Sequence, residues 1–272
     1  MEIKKFTKKI QNKISTLFRV NKALSTKDRN RLRNMDRYMS TTITFYNKKI
    51  KIVDPLTFLS SYQEIFENEI YKFISSKKKV TIIDCGANIG LATIYFKMNF
   101  PDANILSFEP DPAIFSALKR NIASFGYSDI ICKNEAVSDK DNFLDFWSEG
   151  GHSGMITNKT GIENTVKVKA IRLKSILKTY EQITFLKIDI EGEEINVIPD
   201  IADELKKVDY LFLEYHSFLD SAQNLDTLLG FIAQSGMRYY IKEAANKTFP
   251  FLNREIFLNM DMLVNIFCYR EN

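Results

Sequence analysis

Val80-Thr-Ile-Ile-Asp84-Cys-Gly86-Ala-Asn88-Ile-Gly90 decides the fold, because a short apolar run passes without a break into a glycine turn. Val80, Ile82 and Ile83 read as a buried parallel strand, and Asp84 stands at its carboxyl end. Gly86 and Gly90 predict a turn whose backbone approaches a ligand closely before a helix begins. Glycine spacing then separates the nucleotide-like cofactors that bind at such turns. A dinucleotide fold uses Gly-x-Gly-x-x-Gly to seat a pyrophosphate on a helix N-terminus. Here the glycines are four apart, with Asn88 between them and an acid in front. That arrangement suits a cofactor with an amino-acid tail and no phosphate, which is S-adenosylmethionine.

Outward from this turn, strands and helices alternate. Residues 80–85, 104–108 and 129–133 read as strands separated by helices over 89–99 and 111–125, which predicts a parallel, doubly wound α/β sheet. The second strand closes on Glu109-Pro110-Asp111-Pro112, so an acid lies about twenty residues beyond the glycine turn, where it can accept both ribose hydroxyl protons. The alternation pauses at about 140–173, where 143–147 and 166–173 read as a hairpin insertion around Gly150-Gly151-His152-Ser153-Gly154, placed to hang over the cofactor. It resumes with a strand at 184–190, a helix from about 193, a strand at 209–215 and a helix at 221–234. Strands at 238–243 and 262–269 then follow without a helix, which implies one antiparallel strand in a mostly parallel sheet with helices on both faces. Upstream, residues 43–53 read as a hairpin around Asn47-Lys48-Lys49, and Asp54-Pro55 opens a helix expected to run through Ile74. The division expected is an extension over 1–40, a threshold segment over 41–79 and a core domain over 80–272.

The formal charge of +4 conceals a division: residues 1–40 hold 12 of the 38 Lys and Arg and 3 of the 34 acids, or +9, leaving −5 for the rest. Within that tail Ile3, Phe6, Ile10, Ile14, Leu17 and Phe18 recur at three- and four-residue steps among lysines, a basic amphipathic helix. It is suited to peripheral contact with an anionic membrane surface, to self-association or to packing on its own domain. No apolar run approaches the roughly 18 residues of a spanning helix, and no signal-peptide core is present, so the expected location is the cytoplasm, with peripheral contact at the inner membrane surface as the variant. Cys85, Cys132 and Cys268 fall in separate apolar runs without Cys-x-x-Cys spacing and read as buried, reduced thiols.

Four motifs follow in order: Asp84-Cys-Gly-Ala-Asn-Ile-Gly90, Phe108-Glu-Pro-Asp111, Asn134-Glu-Ala-Val-Ser-Asp139 and Lys187-Ile-Asp-Ile-Glu-Gly-Glu-Glu194. Together they resemble the FkbM family of S-adenosylmethionine-dependent methyltransferases over about residues 43–240, and the Lys-x-Asp-x-Glu-Gly-x-Glu run separates this family from others that share the glycine turn. The resemblance implies a Rossmann-like class I methyltransferase sheet. It implies that Asp84, Gly86, Ala87, Asn88 and Gly90 cradle the methionine portion, that Glu109 holds the ribose and that Glu135 and Ala136 border the adenine.

The strand around Lys187 and Asp189 carries a charged pair in an apolar run, which is costly to bury unless the charges are paired or used. Asp189, at the strand's carboxyl end and facing the methyl group, is the candidate for orienting or deprotonating an acceptor hydroxyl, with Lys187 beside it. Glu191 and Glu194 start the next helix, either as substrate contacts or as acids complementing the helix dipole. Glu214 and His216 end the following strand on one face; His216 suits a general base, and Asp189, Glu214 and His216 are the set for a divalent metal, if one is used. His152 and Ser153 in the glycine loop are candidate substrate contacts, and Trp147 and Tyr215 could stack on a sugar ring or fill the core.

The expected chemistry is in-line methyl transfer to a hydroxyl of a sugar, glycan or related small molecule. The alternative from another class is a non-catalytic S-adenosylmethionine-binding scaffold that docks a partner or membrane through the basic tail. A nucleic-acid substrate is not expected, since the basic charge sits away from an acidic body.

Overall fold

The structure is a computed structural model that describes residues 23–148, 154–156, 165–245, 247–257 and 259–271. The expected amphipathic helix, His152 and Ser153 lie outside the described residues. So does the side chain of Trp147.

The chain enters through helix α1 (Thr26–Arg33), capped by the Ser25 side chain, and a hairpin of β1 (Thr41–Phe45) and β2 (Lys48–Ile52). The tail therefore ends in a separate short helix, with Ala23 and Leu24 buried among the hairpin's apolar residues. Tyr46 and Asn47 both take positive φ, 45° and 62°, the backbone of a tight two-residue hairpin turn. Helix α2 (Pro55–Tyr62) starts as expected on the Asp54 cap and continues into one wide turn, Gln63–Glu67. It ends seven residues before Ile74: Glu69 turns to a φ of 50°, Tyr71 lies in the turn that follows, and Phe73 in chain that is neither helix nor strand. The helical reading fails because those rings serve tertiary partners. Tyr71 packs edge-on to Phe212 at 4.9 Å, and Phe73 stacks on Phe100 at 4.5 Å and Phe185 at 5.0 Å.

The core alternation then follows: β3 (Thr81–Cys85), α3 (Leu91–Asn99), β4 (Asn104–Phe108), α4 (Pro112–Ser124) and β5 (Ile131–Lys133). A second sheet interrupts it. β6 (Ala136–Ser138), β7 (Asn142–Ser148), β8 (Gly154–Ile156) and β9 (Thr165–Arg172) form four strands in the order β6-β9-β7-β8. The insertion is thus more than a hairpin: Ala136–Ser138 pairs in parallel with Ala170–Arg172 and ties it to the core. The chain closes with α5 (Leu173–Leu177), β10 (Ile183–Ile188), α6 (Glu194–Ile201), β11 (Val208–Phe218), α7 (Leu225–Gln234), β12 (Arg238–Glu243) and β13 (Met260–Tyr269).

Seven strands form the central sheet in the order β12-β13-β11-β10-β3-β4-β5. All pairings are parallel except those of β13, which is antiparallel to both β11 and β12. The single antiparallel strand expected from two consecutive terminal strands is there. Alternation along the strands builds two cores: Ile82, Ile105, Phe185 and Phe212 face α3 and the N-terminal segment, while Ile83, Leu106, Leu186 and Leu211 face α6 and α7. Cys85 and Cys268 are buried free thiols, but Cys132 is only half-buried, because β5 is the sheet's edge.

One buried side chain fixes the hairpin relative to the glycine turn. Asn121 of α4 accepts from the Lys51 amide at 2.7 Å and donates to the carbonyls of Lys51 and Ile89, each at 2.9 Å. α2, which follows the hairpin, is thereby held at the carboxyl edge of the sheet.

Candidate active site

The turn after β3 is built from left-handed residues: Gly86 at φ 84°, Asn88 at 48° and Gly90 at 93°. The glycines answer to protein neighbours. A Cβ on Gly86 would lie 1.8 Å from the Asp189 carbonyl oxygen, and one on Gly90 would lie 2.7 Å from Leu118 Cδ1 of α4. The expectation that a ligand demands both glycines is corrected on this point. They let β3 and β10 converge and let α3 begin tight against α4, and only Gly86 of the two also faces the cavity.

Glu109 follows β4 and accepts from the Asn88 amide and the Asp111 amide, each at 2.9 Å. Asp111 in turn caps α4, accepting from Ala113 and Ile114, while the Asn134 side chain donates to the carbonyls of Glu109 and Pro110. The motifs around Glu109 and Asn134 are thus one hydrogen-bonded unit. Burial pushes the Glu109 carboxyl up to about 8, against the opposing pull of the Asp111 and Asn88 amides.

These groups border a cleft with about 1240 Å³ of empty space, its open mouth included. One half is lined by Gly86, Ala87, Asn88, Glu109, Glu135 and Ala136. The other half lies under α2 and its wide turn, lined by Thr57, Ser61, Glu64, Tyr71, Asp189 and Glu214. Glu135 presents an informative atom: its Oε1 accepts from Lys169 at 2.6 Å, while its Oε2 is buried with no hydrogen-bond partner.

Where the halves meet, Lys187 is almost completely buried in β10 and reaches Gly86 O at 2.8 Å, Asp189 Oδ2 at 3.0 Å and Asp84 Oδ1 at 3.5 Å. Burial lowers its pKa, but Asp189, Tyr71 and Asp84 outweigh that and hold it well above the ordinary lysine value. Its ammonium hydrogens are directed at protein oxygens, so Lys187 is a brace between the glycine turn and Asp189, and the reading of it as a catalytic group is corrected. Asp84 is also displaced from its expected role. It is fully buried, accepts from the Thr93 hydroxyl at 2.7 Å, and does not line the cavity.

Beyond Asp189, Glu191 takes a φ of 57° and turns its carboxylate to 3.4 Å from His216 Nε2. Glu194, with no exposure at all, accepts from the amides of Ile190 and Gly192 at 2.9 Å and lies 3.2 Å from His216 Nδ1. Its expected role as a substrate contact is corrected accordingly, while Glu194 does stand as an acid in the first turn of α6. Burial draws the His216 pKa down, but Glu194 and Glu191 more than reverse this and favour the charged ring, which corrects the general-base reading. His216 is also absent from the cavity wall. Glu214 does face the cavity, and burial, reinforced by Asp189, raises its carboxyl well above the ordinary value against the pull of His216. Tyr215 is not available for stacking: it is core, and its hydroxyl accepts from the Asn224 amide at 3.0 Å.

Glu64 and Asn121 were not legible as site residues. Glu64 is raised by burial and by Asp189, yet nothing local in the sequence says that the helix carrying it crosses the sheet edge.

The match to a family model for the methyltransferase FkbM domain covers residues 84–248. The chain belongs to the FkbM methyltransferase family. Similar curated proteins include methyltransferase sdnD of Sordaria araneosa, 29% identical over 177 residues, with 53% of this chain and 68% of that protein covered. The hexuronic acid methyltransferase AglP of Haloferax volcanii is 24% identical over 139 residues, with 50% of this chain and 56% of that protein covered. Among solved structures, a precorrin-6y C5,15-methyltransferase from Geobacter metallireducens aligns at TM-score 0.40 and 12% identity, over 72% of this chain and 82% of that one. As an FkbM-family member the chain is an S-adenosylmethionine-dependent methyltransferase. The residues present fit that cofactor: Glu135 Oε2, buried without a hydrogen bond and 3.9 Å from the Lys133 ammonium, suits an exocyclic amine, and Glu109 retains lone pairs on both oxygens for a ribose diol.

Proposed function

We propose that this FkbM-family enzyme methylates a hydroxyl oxygen on a saccharide or related polyhydroxylated acceptor. The observation that carries the reading is the position of Asp189, whose carboxylate is held by Lys187 at the junction between the glycine turn and the half of the cleft under α2. In this reading Gly86, Ala87 and Asn88 take the methionine end of the cofactor, Glu109 the ribose, and Glu135 with Ala136 the adenine. Bound there, the cofactor supplies an activated methyl group.

The protein's own share is positional. Asp189 accepts the hydroxyl hydrogen of the acceptor and aims its oxygen, with Lys187 preventing the carboxylate from swinging away. Glu64 and Glu214 offer acceptors or donors to neighbouring hydroxyls, and α2 covers the nucleophile from water. Most of the rate on this account comes from near-attack alignment, with proton removal a smaller contribution. The hexuronic acid relative supports a sugar acceptor, and the polar lining of the α2 half suits one. The test is transfer of labelled methyl from S-adenosylmethionine to a panel of free sugars, sugar nucleotides and oligosaccharides. Label in a methyl ether is expected, and Asp189→Asn is expected to lower kcat at least a hundredfold, with cofactor affinity within about tenfold. Label found only on nitrogen or carbon would refute the assignment.

A further inference from the structure

We propose that Asp189, Glu214 and His216, with Glu191 adjoining, bind one divalent transition-metal cation just beneath the acceptor half of the cleft, with Asp189 and Glu214 reaching it from the cleft side and His216 from below. The purpose assigned to the ion rests on the methyl-transfer reading, whereas its binding does not. Asp189 follows β10, and Glu214 and His216 lie two apart on the neighbouring strand β11, so the three project to one side of the sheet. One donor atom from each can be chosen such that all lie within 4.8 Å of one another. Bonds of about 2.0–2.2 Å place donors roughly 3 to 4.4 Å apart around a common ion, so small side-chain rotations close the set.

A second observation is the way His216 is held. Its Nδ1 faces Glu194, a carboxylate with no exposure that is itself fixed by two backbone amides. A buried carboxylate on one imidazole nitrogen is the outer-shell pattern that fixes tautomer and ring plane for a metal-binding histidine. It leaves Nε2 directed to the side where Glu191 lies at 3.4 Å. A third observation is Glu214, which faces the cavity with no hydrogen-bond donor among the described residues and stands close to Asp189 and Glu191. Asp189, Glu191 and Glu214 thus bring three carboxylates to one side of His216, while Glu194 holds the ring from the other. A dication among them offsets their mutual repulsion. One imidazole among carboxylates suits Mn²⁺, Fe²⁺ or Zn²⁺ better than Mg²⁺ or Ca²⁺, which favour all-oxygen shells. Beside the acceptor half of the cleft, such an ion takes an acceptor hydroxyl as a further ligand and lowers its pKa.

The experiment titrates the chelator-treated, desalted full chain with Mn²⁺ alone, followed by electron paramagnetic resonance. One bound Mn²⁺ per chain is expected, with spin-echo modulation from a directly coordinated imidazole nitrogen that persists in His152→Asn, His152 being the only other histidine. Glu214→Gln and Asp189→Asn are each expected to weaken binding at least tenfold, and Glu194→Gln about 10- to 100-fold. Absence of binding up to about 1 mM Mn²⁺ overturns the proposal, being weaker than any useful protein site. So does a bound ion without nitrogen modulation, or wild-type affinity in both Glu214→Gln and Asp189→Asn. A parallel calorimetric titration of the metal-free chain with S-adenosylhomocysteine separates the two readings: a chain that binds the nucleoside but fails to bind Mn²⁺ loses only the cation site, and a chain that binds Mn²⁺ but not the nucleoside loses only the methyl-transfer reading.

Discussion

Lys187→Met tests the brace that joins the two halves of the cleft. In the folded chain the Lys187 side chain is 3% exposed and its partner Asp84 is 0% exposed, so removing the ammonium leaves Asp84 as a buried carboxylate with only the Thr93 hydroxyl for compensation. Breaking a buried pair from one side costs about 3–5 kcal/mol. At about 2–4 °C per kcal/mol for a chain of this size, the melting temperature falls by roughly 6–20 °C. The lysine pKa is raised in the fold, so its stabilising contribution is complete below the unfolded value near 10.4 and is lost as pH climbs through the folded one. A comparison at pH 7 therefore reads the whole effect. Adding Asp84→Asn removes the stranded charge, and the double variant is expected to recover about 1–3 kcal/mol relative to additivity. Urea unfolding followed by circular dichroism measures all four corners of the cycle. A loss below about 1 kcal/mol in Lys187→Met, the scale of an exposed pair, refutes the reasoning.

Two further outcomes follow from the site. Glu109 keeps its proton up to about 8, and a ribose diol donating to it favours the carboxylate. S-adenosylhomocysteine binding should therefore release protons below that pH, tighten by up to about tenfold per unit between pH 6 and 8, and level off above. Calorimetry in buffers of different ionisation enthalpy reads this, and a flat profile in the wild type, or an unchanged slope in Glu109→Gln, contradicts it. Gly86→Ala combines a φ of 84° with a Cβ 1.8 Å from the Asp189 carbonyl, for a loss of roughly 2–5 kcal/mol, whereas Gly90→Ala meets only the movable tip of Leu118 and should lose about 1–2 kcal/mol. Urea midpoints that reverse this order would show that β10 yields more easily than the backbone contact implies.

Periodicity and turn chemistry were enough to read the main architecture. Strands β3, β4 and β10 are buried on both faces and read as largely apolar runs, and two strands in succession at the end of the chain told of the antiparallel neighbour, because no helix stands between them to make a parallel crossover. The limits of local reading show at the end of α2, where Tyr71 and Phe73 fit a helical pattern until distant rings claim them. They show again at Ala136–Ser138, a three-residue strand that exists only through its pairing with β9.

The sequence by itself determined the family and the chemistry available at the sheet's carboxyl edge, since motif residues at strand ends arrive there whatever the rest of the chain does. Which of those residues meet solvent, and which only hold others, was decided by tertiary structure. Asp84, Glu194 and His216 are as polar on paper as Asp189 and Glu214, yet burial and pairing turn the first three inward while the last two face the cleft, and Lys187, which reaches the cleft wall, spends its ammonium on Gly86 and Asp189. Ionisation and role follow from desolvation and the nearest opposite charge, and both are properties of three-dimensional neighbours that no linear spacing encodes.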